Sequence, residues 1–388
     1  MNTFNLHALF HGSNNDCYEG RISLSTADRE QLKSARTTIR GHVRSQIARR
    51  LQAAGVDKAQ AIAPKFITQG SFAYGTINAP AYPPRQQADL DDGLYVPLSF
   101  CEDTGSPNLV SALLIDIVEA ILTDLAKRRG WTVDTGNPNC TRLVIAHDKH
   151  VDMPIYSIPD DEFLEIAQAR FSLAKAAVSF NEYYAGSYFD DTWDAMPAHV
   201  WMAHKVEGWI DSDPRPIRDW VLMQVRLKSE QLRRLMRYLK AWRDHQNWPK
   251  SDPKSILLMA LVDAALDRKI DRRDDLALIQ VCSRIPGLLC GSVEIPPIPG
   301  EDMTKRLDED GLRAALSQRV RDLHDMLSAC VKGRHTREEA CRLLQSSFGI
   351  RFPNRPDRIR IEIPEAPFRA RAPQVVTAAP FVGRQNSG

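Results

Sequence analysis

The run Asp89-Leu90-Asp91-Asp92-Gly93-Leu94-Tyr95-Val96 sets two acids two residues apart in a strand-like, otherwise apolar stretch. On a strand, residues i and i+2 share a face, so Asp89 and Asp91 project together while Leu90 projects into the core. Two like charges on one face repel, and burying them without a counter-charge is strongly unfavourable. The sheet holding this strand therefore needs one face turned to solvent or to a cation. Mg2+ takes one or two carboxylates and completes its octahedron with water and phosphate oxygens. By itself the pair also fits a solvated edge strand or a turn, so it needs support from elsewhere in the chain.

That support comes from both sides. Upstream lies Gln69-Gly70-Ser71-Phe72-Ala73-Tyr74-Gly75-Thr76, in which Gly70 permits close backbone approach and Ser71 offers a hydroxyl and an amide to a phosphate. Downstream, residues 142–146 and 151–157 read as two strands of an antiparallel hairpin, joined by a His147-Asp148-Lys149-His150 turn. Asp152 interrupts the apolar run Val151-Asp152-Met153-Pro154-Ile155-Tyr156. A neighbouring strand bearing Asp89 and Asp91 would bring three carboxylates together, the layout for two metal ions about 3.5–4 Å apart. The bland alternative is a hydrogen-bonded turn acid.

The rest of the chain frames this unit. Ser25 or Thr26 caps a helix with Asp28 and Glu30 in its first turn, and Leu32, Ala35, Ile39, Val43, Ile47 and Leu51 recur at helical spacing before Gly55. Arg36, Arg40 and Arg44 form a stripe on another face, read here as solvated. Residues 65–98 read as short strands, and residues 111–129 as a second helix. After about Glu207 the pattern is almost wholly helical: residues 231–242, 254–266, 310–330 and 337–348. Arg233, Arg237 and Lys240 are spaced i, i+4, i+7 away from the leucines of their helix, a basic wall if a phosphate cleft lies opposite. The expected organisation is α+β: residues 1–206 a catalytic core, 207–350 a helical lobe, and 351–388 a Pro-rich flexible tail, mobile beyond about Ala372.

Composition narrows the function classes. Of 388 residues, 51 are Lys or Arg and 49 Asp or Glu, a net charge of +2 that disfavours a broad nucleic-acid coat. The seven cysteines form no C-x-x-C pair, so a zinc site has no support and a reducing, cytoplasmic setting is expected. Residues 1–10 lack the apolar core of a signal peptide, and residues 256–262 are too short an apolar run to span a membrane.

Three stretches together, G-S-x-x-Y-x-T-I-N from Gly70, Q-Q-x-D-L-D-D-G-x-Y-x-P from Gln86 and H-V-D-M-P-I-Y-x-I-P from His150, resemble the bacterial cGAS/DncV-like nucleotidyltransferases. The likeness is greatest to the DncV-like cyclic GMP-AMP synthases and continues through Asp213-Pro214-Arg215-Pro216, residues 231–242 and residues 255–261. The resemblance implies a polymerase-β-like core with a long N-terminal spine helix and a C-terminal helical lobe. It implies Asp89, Asp91 and Asp152 as catalytic metal ligands for two Mg2+ ions, with Mn2+ as an alternative. It further implies nucleotide contacts from Gln69, Gly70, Ser71, Tyr74, Lys240 and Ser255, with Ser71, Lys240 and Ser255 on phosphates and Tyr74 stacked on a base.

ATP and GTP are the implied substrates, joined and cyclised into a 3′,3′-linked cyclic GMP-AMP that signals in antiphage defence. Other cyclic purine products, and template-independent RNA tailing, share the same core chemistry. A nucleotide-binding sensor without activity is the alternative from another class, opposed by the intact acids. The His/Cys insertion with which animal enzymes of the superfamily clamp DNA is missing, so duplex DNA is not an expected partner. By the same resemblance, Gly388 would be a conjugation point for a ubiquitin-transfer-like ligase.

Overall fold

The computed structural model describes residues 3–12, 16–56, 64–97, 107–158, 200–248, 252–267 and 273–362. In chain order the elements are β1 (Thr3–Asn5), α1 (His7–Phe10), α2 (Tyr18–Ile22), α3 (Thr26–Ala53), β2 (Lys65–Gln69), α4 (Gly70–Ala73), β3 (Ala88–Pro97), α5 (Pro107–Arg129), β4 (Thr132–Asp134), β5 (Cys140–Ala146), β6 (Lys149–Ile158), β7 (Trp201–His204) and β8 (Gly208–Asp211). There follow α6 (Arg215–Lys228), α7 (Glu230–His245), α8 (Ser255–Ala265), α9 (Asp274–Leu288), α10 (Lys305–Glu309), α11 (Arg313–Val331), α12 (Arg337–Phe348), a 3-10 turn at Pro356–Arg358 and β9 (Arg360–Glu362).

The spine helix α3 starts as its sequence predicts. Ser25 accepts from the Asp28 amide, and the Asp28 carboxylate accepts from the Ser25 amide, a capping box that satisfies two end donors. Its apolar stripe packs with α5 onto one face of a mixed sheet, ordered β2-β3-β6-β5-β4, with β7 pairing the far half of β6 and β8 pairing β7. Strands β3 and β6 are parallel, and the other pairs are antiparallel. Strict alternation then sorts the side chains. Leu90, Leu94, Val96, Val151, Met153 and Ile155 face the helices, which leaves Asp89, Asp91, His150 and Asp152 on the opposite face.

The arginine stripe corrects the expectation of a solvated face. Arg36 and Arg40 are buried, and only Arg44 is exposed. Arg40 grips the fully buried Asp92 with Nε and Nη2, and both arginines donate to Thr68 Oγ1. Asp92 is the β3 acid that alternation turns toward the helices, so the pair fastens the spine to the strand bearing Asp91. Asp92→Ala leaves the Arg40 charge buried without its carboxylate, and is expected to lower unfolding free energy by about 3–5 kcal/mol. The urea midpoint measures this; a loss under about 1 kcal/mol would contradict a buried pair.

The second core belongs to the helical lobe, where α6 to α9, α11 and α12 pack together. Two segments far apart in the chain join it unexpectedly. Phe4, Leu6, Leu9, Phe10, Tyr18 and Ile22 are buried among these helices, and β1 pairs with β9. Residues 3–10 and 18–22 therefore pack with the helical lobe, whereas β8, beyond the expected boundary at 207, stays in the mixed sheet. Residues 351–362, expected to belong to the flexible tail, are part of the fold: Phe352 and Ile359 are buried and β9 is hydrogen-bonded. Gly388 and the part of the tail expected to be mobile lie outside the described residues. Among the described residues no helix is long and apolar enough to cross a membrane.

Candidate active site

A cleft of about 380 Å3 lies between the acid-bearing sheet face and the helical lobe. Gly70, Ser71, Tyr74, Asp89 and Asp91 line one wall, and Lys240, Arg243 and Ser255 the other. Parallel pairing of β3 with β6 sets Asp89 opposite His150 and Asp91 opposite Asp152. The hairpin that delivers Asp152 turns tightly at His147-Asp148, so Lys149 and His150, read from the sequence as part of the turn, belong to the strand.

The acids divide into two groups. Asp89, His150 and Asp152 each offer one ligand atom within 4.8 Å of the others. Asp91 instead lies against Gly70, where a methyl group would stand 1.8 Å from its Oδ2. Gly70 also has φ +64°, the left-handed region, so two independent constraints require glycine there. Burial first, then the charges of Asp89 and Asp152, hold the Asp91 carboxyl well above the usual carboxylate range. Asp152 is buried, and both its oxygens accept from Arg142 at 2.8 Å. Asp89 Oδ1 is buried with no hydrogen-bond partner. An orphaned carboxylate oxygen and a carboxyl pushed toward protonation both fit a set of acids built around a divalent cation. His150 is the member that sequence reasoning missed.

The other expected nucleotide contacts divide as well. Gln69 does not enter the cleft wall: its amide donates to Tyr156 Oη at 2.7 Å and accepts from Tyr95 Oη, further along the same sheet face from the acids, where the two tyrosine rings stack. Of the expected basic wall, Arg233 donates to the Tyr74 carbonyl, and Arg237 to Asn78 and Ser23, so both tie the helical lobe to the core. Lys240 does line the cleft; it is buried, and its Nζ donates to the Thr76 carbonyl at 2.8 Å. Burial, reinforced by Arg243, lowers its pKa to about 8. Ser255 opens α8 and its hydroxyl accepts from Arg243 at 2.9 Å, which identifies Arg243 as a further cleft cation. Tyr74 lines the cleft while packing against the helical-lobe core.

Residues 64–156 match the family model for the nucleotidyltransferase domain of DncV-like cyclic GMP-AMP synthase, and residues 229–360 match that for the cyclic GMP-AMP synthase C-terminal domain. The cyclic GMP-AMP synthase of Vibrio cholerae serotype O1 is 34% identical over 312 residues, spanning 77% of this chain and 70% of that one. The chain belongs to the DncV-like cyclic GMP-AMP synthase family. It is a nucleotidyltransferase, and the expected mixed fold with its N-terminal long helix and C-terminal helical lobe is present. A cyclic GMP-AMP synthase of Escherichia coli is 31% identical over 301 residues, 75% of this chain and 68% of that one. Among solved structures, Vibrio cholerae DncV in complex with the linear intermediate 5′ pppA(3′,5′)pG superposes with a TM-score of 0.74 at 25% identity. That match covers 94% of this chain and all of the other. The same enzyme in complex with GTP and 5MTHFGLU2 also gives 0.74 at 25% identity, over 93% of this chain and all of the other.

Proposed function

We propose that the chain makes a cyclic dinucleotide, 3′,3′-linked cyclic GMP-AMP from ATP and GTP, by two successive nucleotidyl transfers in this cleft. The observation that carries the reading is the facing of Asp89 and Asp91, with Asp152 paired beside Asp91, by Lys240, Arg243 and Ser255 across one cavity of small-molecule size. Its product as a second messenger in antiphage defence rests on the family resemblance.

In each transfer a ribose 3′-oxygen bonds to the α-phosphorus of the other nucleotide while the bond to pyrophosphate breaks, through an in-line transition state. Divalent ions held by Asp89, Asp91 and Asp152, most simply two Mg2+, would supply charge neutralisation at the phosphate and acidify the attacking hydroxyl. Asp152 keeps lone pairs beyond those accepting from Arg142, so it can take the hydroxyl proton without losing its orientation. Lys240 provides a point charge for the donor triphosphate, Arg243 presents Ser255 to it, and the backbone at Gly70 and Ser71 approaches the phosphates closely.

Lys240→Ala is expected to raise nucleotide KM and lower turnover, and Ser255→Ala to do so by about 0.5–1.5 kcal/mol. Because the Lys240 ammonium gives up its proton near pH 8, the charge that attracts phosphate is present below that value and lost above it. The kcat/KM of the wild type should fall as pH rises through about 8, and the Lys240→Ala profile should lack that limb. Labelled ATP and GTP, incubated with the purified chain with and without an RNA primer, test the whole reading. A phosphatase-resistant dinucleotide is expected. Extended RNA or unchanged label would overturn it.

A further inference from the structure

We infer that His150 is a nitrogen ligand of the metal centre and tilts it toward transition-metal ions over Mg2+. The inference rests on the metal-centre reading above. His150 is 6% exposed, and its Nε2 is buried without a hydrogen-bond partner, 3.1 Å from Asp89 Oδ1 and 3.8 Å from Asp152 Oδ1. The ring's orientation is set from its other side. The Gln87 side-chain nitrogen donates to the His147 carbonyl, which turns Gln87 Oε1 toward His150 Nδ1 at 3.0 Å. That oxygen can only accept, so Nδ1 is the donor and Nε2 is the ring nitrogen left to face the acids.

Nε2 and Asp89 Oδ1 face each other at 3.1 Å with no hydrogen bond between them, a separation that a cation bound by both accommodates. Adjacent ligands of an octahedral ion with bonds of about 2.1 Å lie about 3.0 Å apart, which matches this separation. The hydrogen bond from Nδ1 to Gln87 is the outer-sphere support that fixes the tautomer and orientation of a metal-binding histidine. A mixed nitrogen and oxygen donor set favours Mn2+, Co2+ or Zn2+ over Mg2+ more than carboxylates alone do.

Pulsed electron paramagnetic resonance of the full chain tests the assignment, loaded with Mn2+ alone and again with inorganic tripolyphosphate, which brings phosphate but no nitrogen. The wild type should show 14N modulation that becomes a 15N pattern when histidine is supplied as 15N-histidine. His150→Gln should lose that modulation, bind Mn2+ about 10–100-fold more weakly, and need less Mg2+ to displace it. Asp89→Asn should release the ion. Bound Mn2+ that Asp89→Asn releases but that carries no nitrogen signature would overturn the role of His150 and leave the metal centre standing. A nitrogen signature surviving His150→Gln would also overturn it, and failure of the wild type to bind Mn2+ would overturn both. The isotope arm needs no variant, so it holds even if His150→Gln does not fold.

Discussion

Replacing Asp89 and Asp91 together with Ala should lower turnover by about 10^3-fold or more while leaving the fold intact. The magnitude follows from the role proposed for these acids, holding the cations whose charge stabilises the transition state, since one lost electrostatic stabiliser alone is worth about 10^2–10^3. Stability moves the other way. Asp91 is buried beside two other carboxylates, and its carboxyl is pushed well above its ordinary range. A group whose folded-state pKa is raised destabilises the fold at neutral pH, where the unfolded chain would leave it ionised. Removing it relieves that strain, so the thermal midpoint of the double variant, without metal, should equal or exceed the wild type's. A variant with substantial turnover, or one that melts well below the wild type, would contradict the placement of these acids.

Gly70→Ala should be nearly as damaging to turnover, by a different route. The added methyl group would meet Asp91 Oδ2 at 1.8 Å, and the left-handed backbone at this position resists any side chain. Either Asp91 swings away or the Gly70–Ser71 turn opens, and both separate the acid from the backbone that lines the cleft. Gly130→Ala makes a matched control, since it carries a similar positive φ but has open space around it. Steady-state kinetics should show loss of turnover in Gly70→Ala and wild-type values in Gly130→Ala. Equal effects in the two would mean that backbone strain, and not the approach to Asp91, decides the outcome.

What could be read from the sequence was what repeats locally. The two-residue spacing of Asp89 and Asp91, the capping and apolar stripe of the spine helix, and the hairpin that carries Asp152 all depend on neighbours within a few turns or one strand. What escaped depends on distant partners. Arg40 looked like surface because the acid that buries it, Asp92, lies 52 positions away. His150 looked like a turn residue because only the parallel register with β3 sets it opposite Asp89. Gln69 adjoins Gly70 and Ser71, yet its side chain bonds to the tyrosines because β2 continues to its last residue. Residues 3–10 join the helical lobe, with β1 paired to β9, a contact spanning nearly the whole chain. No local periodicity encodes such a contact.

The most direct measurement is mass spectrometry of the product formed from ATP and GTP in Mg2+ by the wild type, with the linkage assigned by 3′,5′-specific nuclease digestion. A cyclic dinucleotide holding one adenosine, one guanosine and two 3′,5′ bonds is the predicted result. A pyrimidine-containing or trinucleotide main product would contradict the assigned product, and recovery of only unreacted triphosphates would contradict catalysis at this cleft.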